Sequence, residues 1–206
     1  MRVLVNAAMS ADGKIALRGA APLTLSDEAD LKRVHEMRAK ADAVLVGIGT
    51  VLNDDPRLTS RVQGAKQPMR VVLDSKGRLP PGAKILDGAA RTLVVTAKGN
   101  GRKWPNAETI EAGEERVDLR LALRDLQARG VNTLMVEGGV TVIGAFLRSG
   151  LVNDLYTFVA PVVVGGGAPS LVEGPGATDA AHALKMKLQE VAPLGTGALL
   201  HWVPRV

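Results

Sequence analysis

Short apolar runs alternate along the chain with segments of helical periodicity. The apolar runs lie at residues 2–8, 43–47, 70–74, 92–96, 132–137 and 154–164. They are rich in Val and Leu and carry few polar interruptions, so we predict that they form strands buried on both faces of a sheet. The alternation of strand and helix indicates an α/β fold whose sheet is mainly parallel.

Three segments with apolar residues at every third or fourth position predict helices. Each begins after a residue suited to cap a helix N-terminus, and two of them end at glycine. The predicted helices follow Ser26, Asp118 and Thr141, and the second and third stop at Gly130 and Gly150. We expect these helices to flank the sheet.

The C-terminal part of the chain has a different pattern. Residues 183–191 and 198–203 predict two strands, joined by a hairpin connection at 193–197. Such a pair would add antiparallel strands to the sheet and make it mixed. Residues 99–113 show the weakest pattern and predict an exposed connection, with Trp104 as its anchor.

The composition is that of a globular protein, with 46% hydrophobic and 23% charged residues among 206. A chain of this length predicts a single domain over residues 1–206. The absence of cysteine excludes disulfides, thiolate nucleophiles and the cysteine-ligated zinc of nucleobase deaminases, and we expect no bound metal. Because the N-terminus lacks the apolar length of a signal peptide and no apolar run is long enough to span a bilayer, we expect a cytoplasmic protein without membrane contact.

The formal net charge of +5 changes this picture little. Lys and Arg are scattered rather than striped, and aromatic residues that could stack on bases make up only 2% of the chain. The scattered distribution of the charge and the scarcity of aromatic residues therefore argue against a nucleic-acid partner and indicate a mildly basic surface. It also suits an enzyme whose ligands carry phosphate.

The segment from Glu137 to Thr141, Glu-Gly-Gly-Val-Thr, joins a predicted strand to a predicted helix. Paired glycines at a helix N-terminus expose backbone N–H groups and let a pyrophosphate approach closely. An ordinary turn without a ligand would have the same sequence. The spacing is not the G-x-G-x-x-G of a Rossmann fold, which disfavours that fold.

Three further segments also follow predicted strands. Residues 46–50, Val-Gly-Ile-Gly-Thr, predict a second backbone cradle, although an ordinary turn would also fit. Residues 53–61 combine adjacent carboxylates with two arginines and predict a loop that grips a substrate phosphate, or a merely exposed charged loop. Residues 9–14 end in Lys14, which offers either a positive charge to a reacting centre or a surface charge. Since open α/β sheets bind ligands at the carboxyl ends of their strands, these placements together predict a cleft for a phosphate-rich ligand.

Read together, these segments resemble the riboflavin-biosynthesis pyrimidine reductases, a family with the dihydrofolate reductase-like fold. The resemblance runs from Asn6 to about Gly174. It is carried by the order and spacing of residues 33–39, 43–59, 71–75 and 136–139, and by Ala160-Pro161 followed by Gly165-Gly166. The fold it implies is a three-layer α/β fold, with a mixed, mostly parallel sheet flanked by helices and a C-terminal antiparallel hairpin. Homologous domains often follow a zinc deaminase domain, so a chain without cysteine is similar to the stand-alone archaeal type.

The resemblance also implies a reaction and a set of site residues. The expected reaction is NADPH-dependent hydride transfer to ribose C1′ of the ring-opened imine of a ribosylamino-pyrimidine 5′-phosphate, which gives the ribitylamino product. The substrate stays open between the diamino-pyrimidinone and the deaminated amino-uracil, and a homodimer is expected. The implied cofactor contacts are Gly49, Thr50, Asp54, Ser75, Gly138, Gly139, Val140 and Thr141. The implied substrate contacts are Asn6, Arg38, Leu58 and Arg61, and the implied catalytic residues are Lys14, Asp54 and Glu137.

The sequence leaves two other functions open. A reductase of a pterin or another small imine or carbonyl could use the same fold, but a chain with two Phe, one Tyr and two Trp offers little for an aromatic-lined slot. A non-catalytic module that binds nucleotides or nucleic acid is favoured by the basic charge alone.

Overall fold

The computed structural model describes residues 1–19 and 23–205. Within this described part the chain forms nine strands and four α-helices. The strands are β1 (Arg2–Ser10), β2 (Ala43–Gly47), β3 (Met69–Leu73), β4 (Thr92–Thr96), β5 (Glu108–Glu111), β6 (Thr133–Gly138), β7 (Asp154–Ala160), β8 (Met186–Leu194) and β9 (Gly197–Pro204). The helices are α1 (Glu28–Lys40), α2 (Ile48–Asp54), α3 (Leu119–Ala128) and α4 (Val140–Arg148).

These elements fall into two compact units. The first unit consists of Met1 and His35–Met135, and the second of Arg2–Val34 and Val136–Val206, in which residues 20–22 and 206 lie outside the described residues. Both α1 and β6 contribute residues to each unit. Among the helices of the described part, none has the length and apolar composition needed to cross a membrane.

The first unit contains the most deeply buried strands. Its strand order is β5-β4-β3-β2-β6, and β2 to β5 pair in parallel. Every residue of β2, β3 and β4 is buried, as the uninterrupted apolar runs predicted. The fully buried Arg70 of β3 is accommodated because its guanidinium donates to the Asp87 carboxylate at 2.7 Å, to Thr92 Oγ1 and to the carbonyl oxygen of Ala90.

The second unit combines parallel and antiparallel strands. Its strand order is β6-β1-β7-β9-β8, in which β1 and β7 are parallel while β9 pairs antiparallel with both β7 and β8. The predicted C-terminal hairpin is therefore confirmed. The carboxylate of Asp27, just before α1, accepts hydrogen bonds from the amide and hydroxyl of Thr196 in the β8–β9 turn. This contact fixes the hairpin turn to the start of α1.

Several predicted bounds are wrong for identifiable reasons. The strand predicted over 154–164 ends at Ala160, because Pro161 has no N–H to donate to a ladder and the Val163 side chain beyond it is 75% exposed. The hairpin connection is shorter than 193–197, because Pro193 of β8 still pairs with Ala198 of β9. Strand β8 is the outermost strand, where proline is tolerated.

Two elements were not predicted at all. Residues 48–54 form α2 instead of an open glycine turn, and part of the connection at 99–113 forms β5, a parallel strand at the end of the strand order. Trp104 does anchor that segment, because it is buried and its Nε1 donates to the carbonyl oxygen of Leu79 at 2.8 Å.

Two of the three predicted helix caps are also wrong. Asp27 rather than Ser26 accepts the hydrogen bond from the amide of Asp30 at the start of α1. Gly139 rather than Thr141 is the N-cap of α4. The third, Asp118, does cap α3, since its carboxylate accepts from the amides of the first turn.

Candidate functional site

The junction between β6 and α4 has the geometry of an anion-binding helix N-terminus. Strand β6 ends at Gly138, whose φ of 129° is a conformation that residues with side chains rarely adopt, and the peptide bond to Gly139 is cis. Gly139 is the N-cap of α4 and has no side chain with which to cap the helix. The first amides of α4 have no acceptor within the helix, and the helix dipole adds partial positive charge there. Both properties attract anions such as phosphate.

The other predicted residues of this segment flank the junction. Glu137 is half-buried and precedes Gly138 in β6, and Val140 is the half-buried first residue of α4. Thr141 is exposed as the second residue of α4. Its hydroxyl is therefore not used as the helix cap. A carboxylate and an anion-binding helix start are thus adjacent in the chain.

Helix α4 is held by close packing at Gly144. A Cβ atom at this buried position would overlap the carbonyl oxygen of Glu173 and would come within 2.8 Å of Arg148 Nη1. Arg148 donates from Nη1 to the same carbonyl oxygen at 3.1 Å. The backbone of Glu173 therefore lies directly against the helix, which fixes the position of its N-terminus.

Lys14 lies in a turn that is tied down by hydrogen bonds. Its half-buried side chain donates from Nζ to Ser170 Oγ at 3.0 Å, and its amide donates to Ser10 Oγ. The Asp12 carboxylate accepts from Ser10 Oγ and from the amides of Val164 and Gly165, and these hydrogen bonds hold the pKa of Asp12 well below its usual range. The ammonium of Lys14 is thereby held in one place.

Asn6 lies in the middle of β1 and is only 6% exposed. Its Oδ1 accepts a hydrogen bond from Arg33 Nη2 at 2.7 Å, and Arg33 in turn pairs with the buried carboxylate of Asp30. The predicted substrate residue is therefore part of a charged network that extends into α1.

In the first unit, helix α2 carries three of the predicted residues. Gly49 is exposed, Thr50 is half-buried, and Asp54 is the exposed last residue of the helix. Gly47 is the N-cap, so the prediction of an open glycine cradle at 46–50 is wrong in its backbone form.

The adjacent carboxylates Asp54 and Asp55 have different surroundings. Asp55 adopts φ 42° as the C-cap of α2, and its Oδ1 accepts from the amide of Lys84 at 2.8 Å. Although Asp54 is an exposed residue, neighbouring protein atoms desolvate its carboxyl in part and raise its pKa. Asp55 is thus tied to the backbone by a hydrogen bond, and the pKa of the neighbouring Asp54 is raised.

The loop that follows α2 is anchored from α1. Leu58 is buried at φ 54°, and Ser60 Oγ donates to the carbonyl oxygen of His35. Arg38 lies half-buried, and its Nη1 donates to the carbonyl oxygen of Thr59 at 3.1 Å. Arg61 follows directly and is exposed. The structure therefore brings Arg38 together with the loop that presents the Arg61 guanidinium.

The remaining predicted cofactor residue, Ser75, follows β3. It is half-buried, and its Oγ accepts a hydrogen bond from the amide of Val117 at 3.0 Å. Among the described residues, no group of three His, Asp or Glu side chains lies close enough to hold a metal ion.

Comparison with known proteins identifies the family. A family model described as the RibD C-terminal domain matches residues 1–200. The chain belongs to the RibD C-terminal domain family. It is 41% identical over 209 residues to the 2,5-diamino-6-ribosylamino-4(3H)-pyrimidinone 5′-phosphate reductase of Methanothermobacter thermautotrophicus, an alignment that covers 97% of this chain and 96% of that relative.

Solved structures support the same fold. The RibD structure of Acinetobacter baumannii superposes with a TM-score of 0.88 at 28% identity, covering 100% of this chain and 58% of that longer one. Dihydrofolate reductase of Enterococcus faecalis superposes with a TM-score of 0.54 at 12% identity, covering 100% of this chain and 97% of that enzyme, which is a likeness of fold alone. The riboflavin-biosynthesis pyrimidine reductase family and the dihydrofolate reductase-like fold expected from the sequence are both confirmed.

Within this RibD-type domain, the hydrogen-bond partners of the predicted residues were largely missed. Arg33 and Ser170, which hold Asn6 and Lys14, were not among the candidate site residues. One sequence signal for Arg33 did exist, since Asp30 and Arg33 stand three positions apart on a helix, the spacing of an ion pair. No spacing rule joins Lys14 to Ser170.

Proposed function

We propose that this chain is an NADPH-dependent reductase of riboflavin biosynthesis. It converts the ribosylamino side chain of a pyrimidine 5′-phosphate to a ribitylamino side chain. The observation that carries the proposal is the junction at Gly138–Gly139, where a helix N-terminus with glycine as its N-cap follows closely after Glu137. The named activity of the Methanothermobacter relative, aligned over nearly the whole of both chains, supports the choice of substrate class.

The residues at the start of α4 fit a pyrophosphate group. Gly138 and Gly139 carry no side chain that would block an anion, and the amides of Val140 and Thr141 lie in the first turn of the helix. We assign these residues to the NADPH phosphates, and Gly49, Thr50 and Ser75 to further cofactor contacts. When bound, NADPH would supply the hydride that reduces ribose C1′ of the ring-opened imine.

The arginines suit the phosphate of the substrate. Arg61 is exposed, and a guanidinium binds a phosphate through two parallel hydrogen bonds. Arg38 supports the same loop through the carbonyl oxygen of Thr59 and is our second phosphate or ribose contact. Leu58 and Asn6 complete the proposed set of substrate contacts.

Three residues are proposed for the chemical step. Asp54 keeps its proton to higher pH than an ordinary aspartic acid, because desolvation raises its pKa, and this suits a group that delivers a proton to nitrogen. Glu137 orients the imine nitrogen or relays the proton. Lys14, fixed by Ser170, supplies a positive charge that stabilises negative charge on the substrate. A homodimer and a cytoplasmic location stay predictions from the sequence.

The decisive experiment is an NADPH-oxidation assay with the purified protein. The diamino-pyrimidinone and the amino-uracil ribosylamine 5′-phosphates are offered separately, and dihydrofolate serves as the control substrate of the same fold class. We expect turnover with one or both pyrimidines and none with dihydrofolate. NADPH oxidation with dihydrofolate alone would refute the proposal.

A substitution at Glu137 tests the role of the junction. Glu137→Gln keeps the size of the side chain, so we expect NADPH affinity to be retained while the turnover number falls at least tenfold. The matched control is Glu115→Gln at an exposed position, which should leave both quantities unchanged. Unchanged turnover in Glu137→Gln would remove Glu137 from the mechanism.

A further inference from the structure

The side-chain amide of Asn6 is held in one orientation. Its Oδ1 lies 2.7 Å from Arg33 Nη2, and a guanidinium can only donate hydrogen bonds. The oxygen of the amide must therefore face Arg33, and the Nδ2 group must point away from Arg33. Among residues 1–19 and 23–205, no protein oxygen accepts a hydrogen bond from Nδ2. Asn6 is thus a donor toward whatever lies beside it.

Arg33 is itself restrained by buried charge. Its Nε and Nη2 donate to Oδ1 of Asp30 at 2.9 and 2.7 Å, and the Asp30 side chain is only 1% exposed. The other carboxylate oxygen of Asp30 accepts from Ser26 Oγ, and the amide of Asp30 donates to Asp27 at the start of α1. Each partner restricts the next one, so the guanidinium that faces Asn6 has little freedom to turn away.

We propose that Arg33 is a positioning residue that makes Asn6 an obligate hydrogen-bond donor to the substrate. On this inference, which rests on the proposed function, Asn6 recognises an uncharged acceptor of the substrate, an oxygen of the pyrimidine carbonyl or of the ribose. Without Arg33 the side-chain amide can rotate by half a turn and present its oxygen to the substrate, and that oxygen would repel the acceptor. On this inference Arg33 influences the substrate through Asn6.

The first test replaces Asn6 by aspartate. Asn6→Asp has almost the same shape, but it exchanges the Nδ2 donors for an acceptor oxygen and gives Arg33 a carboxylate partner. We expect the melting temperature to stay at or above that of the wild type, while kcat/KM falls tenfold or more. An Asn6→Asp variant with wild-type kcat/KM would overturn the inference. Because the variant keeps a partner for Arg33, it is suited to remain folded.

The second test is a double-mutant cycle with Asn6→Ala, Arg33→Met and both changes together. Since Arg33 works through Asn6, each single change should lower kcat/KM by about tenfold, and the double variant should be no worse than Asn6→Ala alone. Additive losses would mean that Arg33 acts independently and would overturn the inference. The matched control is Lys32→Met, which removes a positive charge from an exposed neighbouring position and should keep wild-type kcat/KM.

The same four proteins give a readout that does not depend on turnover. In urea unfolding, the loss of stability caused by Arg33→Met should be smaller once Asn6 is alanine, because the hydrogen bond between them has already gone. Equal losses in both backgrounds would contradict the contact itself. If the wild type turns over neither pyrimidine, it is the proposed function that fails. If the wild type is active and Arg33→Met matches it, the positioning role fails.

Discussion

Two glycines in helices allow the packing at α4 to be tested by the same substitution with opposite expected results. Gly144 lies inside α4, buried against the backbone of Glu173. Gly49 lies in α2, where a Cβ atom would meet nothing within 4 Å. We predict that Gly144→Ala lowers the stability of the protein and that Gly49→Ala raises it.

The magnitudes follow from two opposing effects. Alanine is favoured over glycine inside a helix by about 1 kcal/mol; the full gain applies at Gly144, and a smaller one at Gly49 in the first turn of α2. At Gly144 the new methyl group overlaps a carbonyl oxygen of the backbone, which cannot rotate away as the end of a flexible side chain can. Overpacking of this kind costs about 1–3 kcal/mol, and a rigid neighbour places the cost near the upper end. The expected net loss for Gly144→Ala is therefore about 2 kcal/mol.

Thermal unfolding followed by circular dichroism measures both variants. For a chain of this length, 1 kcal/mol corresponds to a shift of roughly 2–4 °C in melting temperature. Gly144→Ala should therefore melt roughly 4–8 °C below the wild type, and Gly49→Ala should melt above it by at most roughly 2–4 °C. If Gly144→Ala proved as stable as Gly49→Ala, the close approach of Glu173 to α4 would be refuted.

Three further predictions concern a hydrogen-bonded carboxylate, a buried ion pair and a phosphate contact. Asp27→Ala should lower the melting temperature by removing the partner of Thr196. Because hydrogen bonds lower the pKa of Asp27, the difference in melting temperature from the wild type should be largest near neutral pH and should vanish as the pH falls through that pKa. Asp87→Ala leaves the buried Arg70 without its carboxylate and should cost about 2–3 kcal/mol, seen as a lower urea midpoint at unchanged slope. Arg61→Ala should raise KM for the phosphorylated substrate far more than it lowers kcat, and a larger effect on kcat would contradict a binding role.

The bounds of the strands were predicted best where burial restricts the residue types that fit. Residues 43–47 and 92–96 were predicted to their observed ends, since both faces of β2 and β4 are covered and only apolar or small residues fit. Strand β5 was missed because it is an outer strand whose exposed ends are Glu108 and Glu111. Helix α2 was missed because Gly47 and Gly49 read as a turn, although glycine also fits at the N-cap and in the first turn of a short helix.

The candidate site was predictable as a set of segments but not as a set of contacts. The paired glycines of segment 137–141 predict a junction between a strand and a helix, and the structure has the start of α4 there. The partners of the predicted residues are 27 positions away for Asn6 and 156 for Lys14. Periodicity describes neighbours within one helix or strand, so it carries no information about such pairs.

The pair Asp54 and Asp55 shows what backbone geometry adds to a sequence motif. Two adjacent carboxylates look alike in the sequence, and only the family resemblance singled out Asp54 as a catalytic residue. The helix ends between them, so Asp55 turns to φ 42° and accepts the amide of Lys84, while Asp54 remains on the last turn of α2. Asp55 is then tied to the backbone by a hydrogen bond, and desolvation raises the pKa of Asp54. The end of a seven-residue helix therefore gives two adjacent aspartates different surroundings.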